Sequence, residues 1–464
     1  MGKRPLYISL IIFIDAIAFL FWYNNAGPTR DDLALMGGVG LLQLILSIVS
    51  WKKCGRDLIS PYIFFLGSLY VFSFGQSLMY PFGLASMKRD LVGMFGITVL
   101  DVFDAQFMTI VMLGAFQIGG LLSLNKFTLV KSKYNNGAIE TERLKKVGKF
   151  LFWVSVIPYF YFVISDAIIS MTSGYQNIYA GEGERVGFAN LWHIIGDYFI
   201  PSLICLYIAY RNEPSNRKKI TIIMLFCVFM ILVIGGRSEA VIMLSLLLIL
   251  RHLLVKQFSK KYMLIGLASA FVFLQILAFI ADTRDNSNRT MTIELKSNGA
   301  VETVAEMGWS QFCLIKSMDQ VPQKEDFRYG KSYAYSFLTL IPNLGFWKIH
   351  PAKKEANLGD HLGEELGMTF GIGFSMCAEA WFNFGYYGLL IFILWGYFLG
   401  KLFGRVQKYI TFGNIAGLAF LFVFYWFSLK LPRNSFIGLV RAIFYYSLPV
   451  YLYCRHYKLK GSRI

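Results

Sequence analysis

The chain alternates between long apolar stretches and short polar ones, and one polar interruption is much longer than the rest. The apolar stretches are about 17–20 residues long, enough to cross a hydrocarbon core as α-helices. Nine stretches precede the long interruption, which runs from Asp282 to Met368, and three follow it. The pattern predicts an all-α polytopic integral membrane protein with about twelve transmembrane helices. One large periplasmic loop is expected between helices 9 and 10.

The predicted spans divide the chain into three parts. Residues 1–281 carry transmembrane helices 1–9, residues 282–370 form the large periplasmic loop, and residues 371–464 carry helices 10–12 and a cytoplasmic tail. Between spans three and four, the apolar segment Pro81–Gln106 is expected to lie outside, at the interface or re-entering against protein. The spans are expected near 6–23, 33–50, 58–80, a fourth ending near 124, 150–170, 191–210, 220–234, an eighth after 239, 263–281, 374–400, 411–429 and 436–453.

The long interruption is expected to be the active element. It begins with a charged run that is too polar for a bilayer core and ends with a mixture of Pro, Gly, Lys, His and Glu. A loop of this size is usually either functional or disordered. Its aromatic residues argue against disorder; they are Trp309, Phe327, Tyr329, Tyr333, Phe346 and Trp347.

Composition supports a membrane protein. The chain is 56% hydrophobic and only 16% charged, whereas a soluble domain carries about 25% charged residues. The first apolar stretch continues to Tyr23 without a small-residue cleavage site, so we expect it to be retained rather than removed as a signal peptide. The six cysteines are scattered and form no C-x-x-C pair, which favours neither a zinc site nor a disulfide framework.

The net charge of +17 is explained mainly by topology. More than half of the 45 Lys and Arg residues fall in segments that we expect to be cytoplasmic, while the short external loops carry few. This is the positive-inside asymmetry, and it predicts that both termini lie in the cytoplasm. The basic charge therefore does not indicate nucleic-acid binding.

Arginine recurs at the predicted external membrane boundaries, whereas the motifs of soluble enzymes are absent. The sequence has no dinucleotide fingerprint, P-loop or H-E-x-x-H. Arginine offers a planar fork of donors that suits phosphate oxygens. Several such side chains converging on one external cavity would hold a pyrophosphate. The candidates are Arg237, Arg284, Arg289, Arg328, Arg433 and Arg441.

Two of these arginines also have simpler interpretations. Arg237 lies in the hairpin Gly235-Gly236-Arg237-Ser238-Glu239, where it would either pair with Glu239 or contact an anion; we favour the anion. Arg441, just inside the last span, would snorkel to the interface if it has no functional role.

Three residues are candidates for proton transfer: His350 and His361 in the large loop, and Glu379 at the start of span ten. A lone loop histidine is more often structural or solvated than catalytic. Glu379 is the stronger candidate because an acid among Ala378, Ala380 and Trp381 must be paired or neutral.

At these residues the chain resembles the O-antigen polymerase family, the Wzy-type polymerases of oligosaccharide repeat units. The twelve-span plan covers the whole chain, and the specific likeness lies at about 235–240 and 328–388. It rests on the Gly-Gly-Arg237-Ser-Glu hairpin, the run Arg328-Tyr-Gly330-Lys331-Ser-Tyr, Leu340-Ile-Pro342-Asn, and Gly371-x-Gly373-x-Ser375-x-x-x-Glu379-Ala-x-x-Asn383-Phe-Gly385.

The resemblance implies a glycosyltransferase of the bacterial inner membrane. Such an enzyme moves a growing glycan from its undecaprenyl pyrophosphate carrier onto the next carrier-linked repeat unit, on the periplasmic face. It implies no metal, cofactor or nucleotide sugar. It implies external basic residues, here including Lys331, that bind pyrophosphate or glycan, and a separate partner protein that sets chain length.

Three other functions remain open, one of which is that of a receptor or structural membrane protein. An O-antigen ligase-like enzyme would use the same donor with a different acceptor and the same site chemistry. A repeat-unit flippase or other transporter usually shows two similar halves, whereas here the one large loop has no counterpart in the first half.

Overall fold

A computed structural model of the chain describes residues 3–84, 89–124, 137–173, 188–259, 299–368 and 372–455, with a few isolated positions at 178, 261–262, 265–266, 269 and 275–276. Throughout these ranges the regular structure is helical, as predicted. The first half contains α1 (Lys3–Tyr23), α2 (Arg30–Lys53), α3 (Pro61–Phe74), α4 (Val99–Leu122), α5 (Gly137–Ser173), α6 (Phe188–Gly196), α7 (Phe199–Ala209), α8 (Pro214–Ile234) and α9 (Arg237–Leu254).

The second half consists of the short helices of the large loop, followed by apolar helices of various lengths. The short ones are α10 (Gly299–Met307), α11 (Ser310–Gln320), α12 (Lys331–Ser336), α13 (Pro351–Ala356) and α14 (Leu358–Glu365). The others are α15 (Met376–Phe384), α16 (Gly388–Phe403), α17 (Val406–Phe412), α18 (Ile415–Ser428), α19 (Ile437–Arg441) and α20 (Leu448–Arg455), the last two joined by a π-helical turn.

Eight helical segments of the described chain are long and apolar enough to cross a membrane. The multi-span plan is therefore supported, while the number twelve stays a prediction. Helix α3 has only 14 residues, so at ~1.5 Å per residue it is shorter than a hydrocarbon core. The eight segments are Lys3–Tyr23, Arg30–Lys53, Val99–Leu122, Gly137–Ser173, Asn190–Ala209, Met376–Phe412, Ile415–Arg433 and Ile437–Arg455.

Two predicted boundaries move in the structure. Helix α4 already begins at Val99, because Thr98 and Asp101 form a capping box there. Residues 99–106 of the predicted external segment Pro81–Gln106 are therefore helical. Helix α5 begins at Gly137, so residues 137–149, which precede the predicted span 150–170, are helical. Predicted span nine (263–281) lies mostly outside the described residues.

Glycines bring α4 and α16 into close contact. A Cβ added at Gly119 would clash with the carbonyl oxygen of Ile393, and one added at Gly396 would clash with that of Phe116. Such close backbone approach at small residues is a common way to pack helices in membranes, where apolar burial between helices gives little driving force. This pair of helices fixes α16, and hence the adjoining α15, against α1 to α4.

Buried polar side chains add specificity to the first bundle. Tyr62 stacks on Trp51 with ring centroids 3.9 Å apart, and its hydroxyl donates a hydrogen bond of 2.9 Å to Gln117. The Gln117 amide in turn donates to Ser50 at 2.9 Å. These bonds join α2, α3 and α4 and satisfy groups that would be costly to leave unpaired.

The described part of the large loop, residues 299–368, is folded. It forms the helices α10 to α14 and carries buried apolar residues such as Phe312 and Leu362. The aromatic content correctly indicated order. This folded region lies against α15 and the turn between α18 and α19, which is where most of the predicted site residues meet.

Candidate functional site

Glu379 is the central buried acid of the region. It lies in the first turn of α15, which begins where the Ser375 side chain accepts a hydrogen bond from the Ala378 backbone N–H. The helix ends at Gly385, which has a φ of 54°. Glu379 is only 1% exposed, so its carboxylate depends on neighbouring donors rather than on water.

Two donors from different parts of the chain meet the Glu379 carboxylate. The hydroxyl of Ser332, at the start of α12, donates to Oε1 at 2.8 Å. The backbone N–H of Phe436, just before α19, donates to Oε2 at 2.6 Å. Glu379 therefore ties the large loop to the turn between the last two spans through two uncharged donors.

Asn383, one turn further along α15, completes this network. Its amide nitrogen donates to the Ser332 hydroxyl and to the Glu379 carbonyl oxygen, both at 2.8 Å. Its amide oxygen accepts from the Gly330 backbone N–H at 3.0 Å. Gly330 has a φ of 84°, a conformation that favours glycine. Asn383 thus fixes the backbone immediately before α12.

The basic segment 328–331 docks on the end of α15 through its backbone. The N–H of Arg328 donates to the Phe382 carbonyl at 3.1 Å, and the N–H of Tyr329 donates to that of Asn383 at 3.0 Å. Tyr329 itself has a φ of 47°, which is uncommon for a residue with a side chain. These hydrogen bonds fix the backbone of Arg328 beside the end of α15.

The Arg328 guanidinium lies in a small polar and aromatic cluster. It sits 5.3 Å from the ring centre of Phe382, donates to the Glu355 carbonyl at 3.2 Å, and lies 3.7 Å from the Glu325 carboxylate. Arginine suits such a place because its fork is rigid and stacks on aromatic faces.

His361 shares this cluster. Its Nε2 lies 2.9 Å from the Glu325 carboxylate, and its ring meets the edge of Phe382 at 5.9 Å between centroids. Arg328 and His361 therefore flank the same acid, Glu325, and the same ring. His361 is partly exposed, as its side chain retains 25% of its accessible surface.

Two further ion pairs lie beside this cluster. Lys331 is half exposed and its ammonium lies 2.7 Å from the Glu355 carboxylate. This hydrogen bond is the main cause that lowers the pKa of Glu355 below its ordinary value. Burial, by contrast, raises the pKa of Asp360, which lies 3.8 Å from Lys353.

His350 has the geometry of a helix cap. Its Nδ1 accepts a hydrogen bond from the Ala352 N–H at 3.1 Å at the start of α13, and its Nε2 lies 2.8 Å from the Ile341 carbonyl oxygen. A carbonyl only accepts, so Nε2 carries the proton. Both ring nitrogens are therefore occupied by the backbone.

Arg237 reaches the large loop rather than its own hairpin. Gly235 ends α8 with a φ of 101°, and Arg237, which is 6% exposed, forms an ion pair with Glu306 of α10. The other oxygen of Glu306 lies 3.5 Å from Arg89. In the alternative interpretation Arg237 would have paired with Glu239; instead, Glu239 pairs with Lys430 at 2.5 Å.

Arg433 connects this hairpin to the segment that enters span ten. Its guanidinium donates to the Ser238 hydroxyl at 3.1 Å, and its carbonyl accepts from the Phe374 N–H at 3.2 Å. Arg441 instead donates to the Thr339 carbonyl of the large loop at 3.0 Å.

Five of the predicted residues fall into two basic clusters connected through Glu379. The first cluster holds Arg328, Lys331 and His361. The second holds Arg237 and Arg433, together with Lys430, which was not predicted as a site residue. Two contacts connect them: the Phe436–Glu379 bond, and the close approach of Gly359 to the Gly373 carbonyl, which a Cβ at Gly359 would obstruct. Arg284 and Arg289 lie outside the described residues.

The cations could be identified from the sequence, whereas the acidic and polar side chains that contact them could not. Ser332 and Asn383 were within recognised motifs, but nothing in the sequence indicated that they meet. Glu306, Glu325 and Glu355 carry no local signal, because each pairs with a cation brought near by the fold. No group of three or more His, Cys, Asp or Glu in the described chain is placed to hold a metal ion.

Comparison with known proteins identifies a family. The chain fits the family model of the O-antigen polysaccharide polymerase Wzy over residues 6–460. No curated protein and no solved structure matches it.

Proposed function

Because the chain belongs to the O-antigen polysaccharide polymerase Wzy family, we propose that it joins undecaprenyl-pyrophosphate-linked repeat units on the periplasmic face of the bacterial inner membrane. It transfers the growing glycan en bloc onto the non-reducing end of a new carrier-linked unit. The product is a surface polysaccharide of the O-antigen or capsule type. A separate chain-length regulator is the expected partner.

The observation that carries this proposal is the position of Glu379 between two basic clusters. A polymerase of this kind must bind two lipid pyrophosphates at once, one on the donor and one on the acceptor. Two groups of cations, each connected to the same buried acid, support that arrangement. Arg237, Lys430 and Arg433 suit one pyrophosphate, and Arg328 and Lys331 suit the other.

The reaction breaks one bond and forms one. The acceptor hydroxyl oxygen attacks the anomeric carbon of the donor glycan, and the bond from that carbon to the pyrophosphate oxygen breaks. The undecaprenyl pyrophosphate leaves with the electron pair, while the hydroxyl proton passes to a base. Because the leaving group is already good, the main tasks are to position it and to stabilise its charge.

Glu379 and His361 are the proposed proton acceptors. Glu379 is buried. It would act either as the base or by orienting the Ser332 hydroxyl and the basic segment 328–331. His361 has a carboxylate partner in Glu325, which orients its ring. His350 is proposed to hold the loop backbone instead. Arg284 and Arg289 remain proposed pyrophosphate contacts from the sequence, and Arg441 is proposed to position residues 339–340.

The product distinguishes this function from that of a ligase or a transporter. A strain that lacks the chain should carry single repeat units on its lipid core, and the natural ladder should return with the wild-type chain. A ligase would leave the core without any repeat unit, and a flippase would leave the units on the cytoplasmic face. Either result would overturn the proposal.

A further inference from the structure

The segment Phe337–Ile349 of the large loop exposes an unusual run of large apolar side chains. Six of its residues are between about a third and three quarters exposed: Phe337, Leu338, Ile341, Leu344, Phe346 and Ile349, with Phe346 at 72%. A soluble surface exposes single apolar residues, but a contiguous set usually marks a contact surface.

The turn that presents these side chains is well ordered. The Asn343 side-chain oxygen accepts from the backbone N–H groups of Gly345 and Trp347, and its amide nitrogen donates to the Trp347 carbonyl at 2.9 Å. The Trp347 ring packs on His350 with 4.9 Å between centroids. The apolar residues therefore point outward from a fixed backbone rather than from a collapsed loop.

The base of the segment is bonded to a membrane-spanning helical segment. Arg441 donates to the Thr339 carbonyl at 3.0 Å, and the Tyr445 hydroxyl donates to the Leu340 carbonyl. Both donors belong to the candidate span Ile437–Arg455. At a rise of ~1.5 Å per residue, residues 441–445 lie roughly 6–12 Å inside the start of that span.

The exposed apolar surface of the segment is continuous with the outer surface of this span. Phe337 meets Phe444 edge to face at 6.3 Å, and Phe444 is itself 39% exposed. Further along the span, Leu452 and Tyr453 are also exposed. In a span these outward apolar side chains face lipid, so the loop segment adjoining them faces the same phase.

We propose that residues 337–349 form an interfacial membrane anchor that inserts its apolar side chains among the acyl chains of the leaflet facing the large loop. The depth of about 6–12 Å agrees with that of interfacial helices, which bury their apolar face about 5–10 Å. Exposed Lys348 and Lys354 lie close to the turn in sequence and suit anionic headgroups.

The anchor would place the basic clusters at headgroup level, where the pyrophosphate of a membrane-held carrier lies. Ser332 and Thr339 are connected through the hydrogen bonds of Ser336, whose hydroxyl donates to Ser332 and whose carbonyl accepts from Thr339. Lipid contact at residues 337–349 therefore determines how far the Ser332–Glu379 hydrogen bond lies from the membrane surface. The membrane contact itself does not depend on which reaction the chain catalyses.

The test measures the depth of single spin labels in vesicles. Phe346→Cys is made in a Cys54→Ser background, because the other five native cysteines are buried. The full chain is labelled and reconstituted into phosphatidylethanolamine–phosphatidylglycerol vesicles. Lys324→Cys is the matched control, since Lys324 is exposed on the same loop but lies near Asp319 in a polar region.

The label at 346 should be reached readily by oxygen, which concentrates in lipid, and poorly by a neutral water-soluble nickel complex. The label at 324 should show the reverse. Ile349→Cys gives a second probe of the same surface if Phe346→Cys does not fold. Nickel accessibility at 346 or 349 equal to that at 324 would overturn the anchor and would leave the surface to a protein partner. Because the probe is a label and not turnover, the result is separate from that of the proposed reaction.

Discussion

The Ser332 hydroxyl donates a hydrogen bond of 2.8 Å to the carboxylate of Glu379 across 47 residues of chain. Asn383 donates to the same hydroxyl, so Ser332 has its proton directed to Glu379. This arrangement makes Glu379 the point at which the loop, α15 and the Phe436 turn are held together.

Replacing Glu379 by Gln separates the charge of this acid from its shape. We expect Glu379→Gln to reach the membrane at near wild-type levels but to lose polymerisation sharply. If Glu379 is the base, the rate should fall about 10²–10⁴-fold. The glutamine side chain would also place an N–H donor against the Ser332 hydroxyl, which already accepts a hydrogen bond from Asn383. We expect this to lower the free energy of unfolding by about 1–3 kcal/mol. Rates on lipid-linked repeat units and thermal unfolding in detergent check both effects.

Ser332→Ala is the companion variant. It removes one hydrogen bond while leaving the Glu379 carboxyl group in place and bonded to the Phe436 N–H. A smaller loss than that of Glu379→Gln would assign the larger part of the effect to the charge. Equal losses would mean that Glu379 acts by orienting the loop, and a wild-type rate in Glu379→Gln would exclude both roles.

Arg328 is expected to stabilise charge on a pyrophosphate. Arg328→Ala should abolish the ladder and leave single repeat units, because removing one preorganised donor commonly costs about 10²–10³-fold in rate. Arg328→Lys should restore only part of the activity, since a point charge cannot give the bidentate contact. Surface-glycan gels at matched protein levels measure this. Full activity in Arg328→Lys would contradict a role for the fork.

The Arg237–Glu306 pair offers a way to tell anion binding from structural pairing. We expect Arg237→Ala to lose polymer, while Glu306→Gln, which keeps a hydrogen-bond acceptor, retains most of it. If the pair served only to hold α10 against the hairpin, both variants would lower protein level and thermal stability alike. Unfolding temperatures and ladders from the two variants, read together, decide between these cases.

The packing of α4 on α16 predicts a stability difference between two glycines. Gly396→Ala would force a Cβ against the Phe116 carbonyl, and overpacking of this kind costs about 1–3 kcal/mol. Gly67→Ala in α3 is the control, because an added Cβ there meets nothing within 4 Å. The unfolding temperature should fall in Gly396→Ala and should stay the same or rise in Gly67→Ala. Equal effects would show that close packing at Gly396 is unimportant.

The spans could be predicted because apolar length is a local property of the sequence. The predicted spans 374–400, 411–429 and 436–453 overlap the apolar segments starting at Met376, Ile415 and Ile437. Helix starts were less accurate. The cap at Thr98 and the helical residues after Gly137 are determined by capping and by contacts across the fold rather than by hydropathy.

The site could be predicted only as a set of charges. Glu379 and Arg328 stand out because a charge beside apolar sequence needs a partner. Which partner each one finds depends on contacts between distant parts of the chain. Thus Arg237 meets Glu306, 69 residues away, rather than Glu239 in its own hairpin. The aromatic character of residues 337–349 was visible, but its outward direction is a property of the fold.

Topology is tested with reporters fused near Lys324, in the large loop, and near Lys218, close to the start of α8. The account expects a periplasmic signal from the first and a cytoplasmic signal from the second, in line with the bias of basic residues. A cytoplasmic signal near Lys324 would move both basic clusters to the wrong face for this reaction.

The most direct measurement is the reaction itself, carried out with the purified chain in vesicles and undecaprenyl-pyrophosphate-linked repeat units as the sole substrate. The account predicts a ladder of carrier-linked polymer, with one undecaprenyl pyrophosphate released for each unit joined. It predicts that Arg328→Ala and Glu379→Gln give little or none at equal protein amounts. Failure of the wild-type chain to lengthen these units, or ladders of wild-type intensity from both variants, would contradict it.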